Sequence, residues 1–511
     1  MRHPLSLRTE RTDSSWIPPL LLAYKHPMLP LLLLTSCKDR GDDSATAPFP
    51  ATFLWGSATA GFQVDMGCPT WPAETCDDTA SDWYQWVTTD EIIADAALFV
   101  SGEPVSHGPG MWELFEEDAD AMADAGLNAY RMSLEWSRLF PDGAAESAET
   151  VEELAAYADA GALARYHEMF AALDAHGITP LVTLNHYTLP LWVHDGVACH
   201  NDPEGCTANG WVNGERIQRL IGLYTGYAAR EFGGEVDQWA TLNEPFATTL
   251  SGYLLPGEDR SAPPGLLMAA DQVVATLRHQ IEGHAVMYDA VVAYDTVDAD
   301  GDGAAAQIGI VLNMVAITPE TDSAEDAAAA EHMDHLYHRL FLDALTAGSW
   351  DEDLDGTFDT TRPELAGRLD WLGINYYNQV VARSWVQLLT EIPVFDFYPE
   401  FSWEPYPEGL GAVVDIAAAY DVPIIITENG TPYVETQGVE VLEGHLTALS
   451  EAMGRGADVR GYLYWSWVDN YEWNHGFDLK FGLNALNGDT KAREPRPVLG
   501  RLSELAAGGA L

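Results

Sequence analysis

The sequence predicts an α/β fold, a single (β/α)8 barrel with long βα loops, over residues 49–511. Three observations predict it. Eight short β-branched or aromatic runs recur along the chain, Ala/Leu/Glu stretches of helical period separate them, and polar clusters mark the ends of several runs. The runs lie near 53–58, 127–133, 180–185, 236–242, 307–314, 370–375, 422–427 and 460–465. Between them, 112–125 (WELFEEDADAMADA), 161–176 and 215–232 are amphipathic and long enough for crossover helices. A parallel barrel carries its chemistry where strands end and βα loops begin. Asn243 and Glu244 close the fourth run, Glu428 closes the seventh, His186 follows the third, Asn375 to Tyr377 the sixth and Trp465 the eighth.

Composition narrows the partners. An apolar fraction of 47 % fits a globular chain with a large core. Lys plus Arg number 25 against 79 Asp plus Glu, a formal charge of −54, which repels nucleic acid and anionic lipid surfaces. Lysine occurs only at Lys25, Lys38, Lys480 and Lys491, which fits either adaptation to salt or the codon bias of a GC-rich genome.

Residues 28–37, MLPLLLLTSC, resemble a bacterial lipobox, with Leu34, Thr35 and Ser36 preceding Cys37 as the lipidation site. The apolar run is shorter than the ~20 residues that a membrane-spanning helix needs. Residues 1–37 are therefore expected to be a lipoprotein signal region and 38–48 a polar linker. This reading puts the protein in the cell envelope, periplasmic or at the surface, and lets it touch membrane only through a lipid anchor. A cytoplasmic protein with a disordered N-terminal extension is the alternative. The remaining cysteines fall as two close pairs, Cys68/Cys76 and Cys199/Cys206, in turn-rich stretches. They are expected to form loop disulfides in an oxidising compartment rather than a zinc site built on His200.

Two acidic stretches repeat the first half of a calcium-binding loop: Asp298, Asp300, Asp302 with Gly303, and Asp351, Asp353, Asp355 with Gly356. Neither has a glutamate at the twelfth position. A solvated acidic turn and a structural Ca2+ site are both open readings, and neither involves catalysis.

Cleaving a glycosidic bond with retention takes two carboxyl groups about 5–5.5 Å apart, one protonated to assist the leaving oxygen and one ionised to attack the anomeric carbon. The segments TLNEP and IIITENG place Glu244 and Glu428 at the ends of two apolar runs, where an unpaired charge is costly. Most acids in so acidic a chain face solvent, so the position of these two singles them out.

TLNEP and ITENG resemble the two signatures of glycoside hydrolase family 1, the β-glucosidase/β-galactosidase family. FLWGSATAGFQVDMG, YRMSLEWSRLFP, LNHYTLPLWVHD, LGINYY and YWSWVDNYEWNHGFDLKFGL are similar to its other blocks, over about residues 49–490. The wording of GFQVDMG, SGEPVSHGPG and LPLWVHD is closest to the archaeal β-glycosidase branch. The resemblance implies a TIM barrel and an exo-acting retaining β-glycosidase. Its substrates would be β-glycosides or oligosaccharides ending in β-D-glucosyl, galactosyl or fucosyl units, and no cofactor would be required. Position by position, it implies Glu244 as acid/base and Glu428 as nucleophile. Asn243 would meet the sugar 2-hydroxyl, and Arg131 and Tyr377 would contact Glu428 and hold it ionised. Gln63, His186, Tyr187, Asn375, Glu472, Trp473 and Phe481 would surround the glycone, with Trp465 as the platform beneath it.

Three positions depart from the family. Tyr187 stands where it usually has Trp, which puts the grip on the 3-hydroxyl in doubt, since a phenol donates and accepts where indole only donates. Asp65 replaces a usual Glu, and GLNALNGDT follows Phe481 in place of a commoner GLxxVD pattern. A glutamate at position 472 repels a sugar 6-phosphate, which argues against phosphorylated substrates. Two other readings compete: a transglycosylase working through the same intermediate, and a carbohydrate-binding lipoprotein that has lost catalysis. The second predicts a broken carboxyl pair, and both carboxyls are present.

Overall fold

The computed structural model describes residues 47–384 and 397–511. The expected signal region 1–37, with Cys37, and nearly all of the linker 38–48 lie outside the described residues.

Eight parallel strands close into a barrel in chain order: β1 (Leu54–Ala58), β2 (Ala129–Ser133), β3 (Thr179–Asn185), β4 (Gln238–Asn243), β5 (Gln307–Asn313), β6 (Trp371–Tyr376), β7 (Ile424–Asn429) and β8 (Val459–Trp465). Closure sets Ala58 of β1 opposite Trp465 of β8 and opposite Arg131 of β2. All eight predicted runs are strands, with ends displaced by two residues or fewer.

The crossover helices follow the predicted stretches as Met111–Asp124, Ala160–Ala175 and Gly214–Phe232. Asp159 and Asn213 cap the last two, each side chain accepting from a first-turn amide. Gly126 and Gly177, with φ of +75° and +66°, supply the left-handed turns that end the first two and lead into β2 and β3. Along Gly214–Phe232, Ile217, Leu220, Ile221, Tyr224 and Ala228 recur at helical spacing and are buried.

Alternation along each strand divides two cores. Ala58, Ala129, Leu181, Ala240, Val311, Trp371, Ile425 and Leu463, one from each strand, form a cluster that only the barrel interior can hold. Their neighbours Tyr130, Val182, Trp239, Ile310, Leu372 and Ile426 pack outward under the helices. Three of the inner residues are alanines, and the Trp371 indole lies against Gly309 of β5, where a Cβ would collide with it.

The loops carry the additions. Strands Ala316–Pro319, Gln379–Ser384 and Phe397–Ser402 form a small sheet after β5 and β6. After Phe481, the unusual GLNALNGDT stretch opens an antiparallel pair, Asn484–Leu486 with Arg493–Pro495. Cys68 is paired with Cys76, and Cys199 with Cys206. Among the described residues no helix is long and apolar enough to cross a membrane.

Candidate active site

The strands that carry the two glutamates both slip register just before them. In β7, Ile425 points into the barrel while Ile424 and Ile426 point out, so strict alternation would send Glu428 outward. The pairing with β6 instead shifts between Ile426 and Glu428 and sets Glu428 opposite Asn375. Such a bulge re-aims the side chains that follow it. Thr427 Oγ1 donates to Asn375 Oδ1 at 2.7 Å, and Glu428 reaches Arg131 inside the barrel mouth. In β4 the pairing with β5 shifts between Ala240 and Asn243. Glu244 then turns the chain into the short helix Pro245–Thr249 with a φ of +46°, Pro245 occupying the first turn. Tyr187 (φ +71°) and Trp473 (φ +52°) share this left-handed backbone, which costs a non-glycine residue about 1–3 kcal/mol. Three such residues gather around one site.

Glu428 is buried. Arg131 Nη1 donates to its Oε1 at 2.6 Å and the Tyr377 hydroxyl to its Oε2 at 2.7 Å. Arg131, also buried, is fixed by Nε donating to Thr183 Oγ1 at 2.9 Å and Nη2 to Asn243 Oδ1 at 2.7 Å. The expectation that these two donors hold Glu428 in the ordinary ionised range needs correction. Burial pushes its carboxyl up to about 7, Arg131 pulling the other way and the nearby Glu244 charge adding to the rise. Loss of hydration inside the barrel outweighs what the guanidinium and phenol supply.

Glu244 is held by neutral groups. Asn375 Nδ2 donates to its Oε1 at 2.7 Å, and the Tyr187 hydroxyl donates to its Oε2. Asn375 Nδ2 also reaches Asn243 Oδ1 at 3.1 Å, so Arg131, Asn243 and Asn375 form one chain of contacts from Glu428 to Glu244. Tyr187, expected at the glycone, turns its hydroxyl onto Glu244.

The remaining predicted residues assemble beside the pair. Asn243 Nδ2 donates to His186 Nε2 at 3.1 Å, which leaves the ring proton on Nδ1. Burial, helped by Arg131, keeps this imidazole neutral by driving its pKa far down. Gln63 Nε2 donates to Asn470 Oδ1, the Tyr471 carbonyl and Glu472 Oε2, each at 3.1 Å. His186 Nδ1 and Gln63 Oε1 are buried without a hydrogen-bond partner among the described residues. One is a donor and the other an acceptor, and hydroxyl-bearing ligands satisfy both. The rings of Trp465 and Trp473 lie nearly parallel to His186, with centroids 5.8 and 6.0 Å away. Phe481 packs edge-on against Tyr377 at 5.8 Å.

Sequence reasoning missed four contributors. Thr183 and Thr427 were detectable as hydroxyls inside otherwise apolar runs. Asn470 supports Gln63. Arg260, in the loop after β4, carries no motif, yet its Nη1 lies 3.0 Å from Glu472 Oε1. That loop is stitched to the loop after β8 at two further points: Asn474 Nδ2 to the Glu258 carbonyl at 3.4 Å and His475 Nε2 to the Asp259 carbonyl at 2.9 Å. Asp65 Oδ2 pairs with Arg138 at 3.1 Å, a structural contact.

Main-chain amides close both acidic stretches, with Gly356 N–H donating to Asp351 and Thr357 N–H to Asp355 in the second. Asp298 and Asp302 accept main-chain amides of their own turn. Carboxylate oxygens of Asp351, Asp353 and Asp359 lie within 4.8 Å of one another, as do those of Asp237, Asp298 and Asp300.

The model of the family described as Glycosyl hydrolase family 1 matches residues 45–506. A β-galactosidase of Pyrococcus woesei is 32 % identical over 88 % of this chain and 94 % of its own length. A β-galactosidase of Saccharolobus solfataricus is also 32 % identical, over 91 % and 96 %. The crystal structure of the β-glycosidase from Thermosphaera aggregans superposes with a TM-score of 0.77 at 27 % identity, covering 91 % of this chain and 98 % of that one. Matched over nearly all of its described length, the chain belongs to glycosyl hydrolase family 1.

Proposed function

We propose that Glu428 is the nucleophile and Glu244 the acid/base in hydrolysis of terminal β-D-glucosyl, galactosyl or fucosyl units. Family membership makes the chain a retaining O-glycoside hydrolase that needs no cofactor. The roles of individual residues are read from their contacts. One observation carries the division: Glu428 is gripped by a guanidinium, and Glu244 by an amide and a phenol. As the anomeric carbon gains positive charge, the carboxyl already facing a cation and a phenol donor is the one suited to attack as an anion.

In the first step Glu428 Oε bonds to the anomeric carbon, the bond to the leaving oxygen breaks, and the Glu244 proton moves to that oxygen. In the second, Glu244 takes a proton from water, the water oxygen bonds to the anomeric carbon, and the bond to Glu428 breaks. His186, Gln63 and Glu472 orient the sugar hydroxyls, and Trp465 covers its apolar face. Glucose and galactose are favoured by the relatives, which are named for them.

Glu428→Ala should abolish turnover of aryl β-glycosides, and azide should restore it with inverted product configuration. Wild type should release the β-anomer first, as read by NMR. Absence of azide rescue places the nucleophile elsewhere.

Two accessory features belong to the same proposal. A lipid anchor at Cys37 would hold the enzyme at the cell envelope; the lipobox and the two cysteine pairs support it. Labelling with a palmitate analogue should mark wild type and spare Cys37→Ser. A structural Ca2+ would sit among Asp351, Asp353 and Asp359. Its support is their close approach and the buried Asp351 Oδ1, which has no hydrogen-bond partner among the described residues.

A further inference from the structure

The acid/base carboxyl has two oxygens with different neighbours. Asn375 Nδ2 holds Oε1 at 2.7 Å, while Oε2 is met by the Tyr187 hydroxyl. Tyr187 reaches it from the exit of β3 through a left-handed backbone, φ +71°. Its ring is fixed by Trp473, with centroids 4.7 Å apart, and by His186 at 5.2 Å. That packing holds the ring where its hydroxyl meets Glu244 Oε2. Burial first, and then the Glu244 charge, drives the phenol pKa far up, so the O–H stays a donor throughout the neutral range.

We infer that Tyr187 is a positioning residue for proton transfer: its O–H holds Glu244 Oε2, and that hydrogen bond strengthens as Glu244 becomes anionic. The inference rests on Glu244 being the acid/base. A neutral hydrogen bond becomes charge-assisted when its acceptor ionises, and roughly doubles in strength. The gain therefore appears in the transition state, where the carboxyl is part-way to losing its proton, and not in the resting enzyme. Tyr187 keeps its own proton at every stage. The bond broken is Glu244 O–H, the bond formed is between that proton and the leaving oxygen, and the phenol only stabilises the charge left behind.

The assistance matters most where the leaving oxygen most needs a proton. Tyr187→Phe deletes one oxygen and keeps the ring against Trp473, so it tests the hydroxyl alone. Purified full-length wild type, Tyr187→Phe and Glu244→Ala are compared over aryl β-glycosides from dinitrophenyl, which leaves unaided, to unsubstituted phenyl, which does not. Tyr187→Phe should keep kcat/KM within about twofold for dinitrophenyl and lose about tenfold for phenyl, a fraction of the 10²–10⁴ that a full general acid contributes. Glu244→Ala should show the same dependence more steeply. Replacing Tyr187 by 3-fluorotyrosine, a stronger donor of nearly the same shape, should move the phenyl rate the opposite way. A uniform loss across the series, or none, overturns the role of Tyr187 and leaves Glu244 intact. A flat series for Glu244→Ala overturns the underlying acid/base assignment instead.

Discussion

Arg131 binds Glu428 with one guanidinium nitrogen and Asn243 with another, at 2.6 and 2.7 Å, from a position with no solvent exposure. A single rigid fork thus fixes the carboxylate assigned as nucleophile and the side chain beside the carboxylate assigned as acid/base. Arginine suits this place because its donors diverge at set angles, which a lysine ammonium does not reproduce.

Activity should fall on the acid side near pH 7. Burial raises the Glu428 carboxyl to about 7, and the nucleophile must be ionised, so kcat/KM should increase as pH rises through that value. Tyr377→Phe removes a donor that favours the ionised form. The acidic limb should therefore move to higher pH, by up to about one unit. A limb that moves down in pH-rate profiles of dinitrophenyl glycosides would show the sign to be wrong.

Arg260→Ala should raise KM about tenfold with a smaller change in kcat, the loss expected when a charge-assisted contact that orients a binding group is removed. Among the described residues, Gln63 would be the side chain left to hold Glu472. Arg260→Lys should recover part of the affinity. Steady-state kinetics on aryl glucosides and galactosides decides the matter, and an unchanged KM rules Arg260 out of the glycone subsite.

Replacing Cys199 and Cys206 by serine should lower stability by about 2 kcal/mol, as expected for a cross-link closing a short loop. In a protein of 511 residues that is a drop of about 2 °C in melting temperature. Calorimetry with and without reductant checks it: wild type should lose more on reduction than the double variant, which retains the Cys68–Cys76 bridge.

Calcium should raise the melting temperature of chelator-treated wild type by a few degrees, since binding to the folded state alone stabilises it by about 2.7 kcal/mol at a hundred times Kd. Asp353→Asn with Asp359→Asn, both exposed positions, should remove the response. An equal shift in wild type and variant, or no shift in wild type, excludes a site there.

Much of this architecture was legible in the order of residues. The eight strands could be read because β-branched runs are bounded by turn residues, and the glutamates because TLNEP and ITENG frame them. What stayed hidden has physical causes. Alternation alone points Glu428 outward with Ile426, and only a register slip turns it in. Arg260 meets Glu472 across 212 positions, a distance no local pattern spans. The family resemblance places Tyr187 at the position of a glycone Trp, and the contact of its hydroxyl with Glu244 depends on a left-handed backbone that no motif encodes. The height of the Glu428 pKa depends on how dry the barrel mouth is, which a motif does not encode.

The stitching of residues 258–260 to 472–475 makes the end of the pocket proposed for the glycone a two-part assembly. Recombination that exchanges the loop after β8 alone would import a glutamate without its arginine and break the register of the two carbonyl contacts. Sugar preference should then pass between homologues only when both loops travel together. A shuffling library that treats them as one heritable block will keep more folded, active members than one that cuts between them.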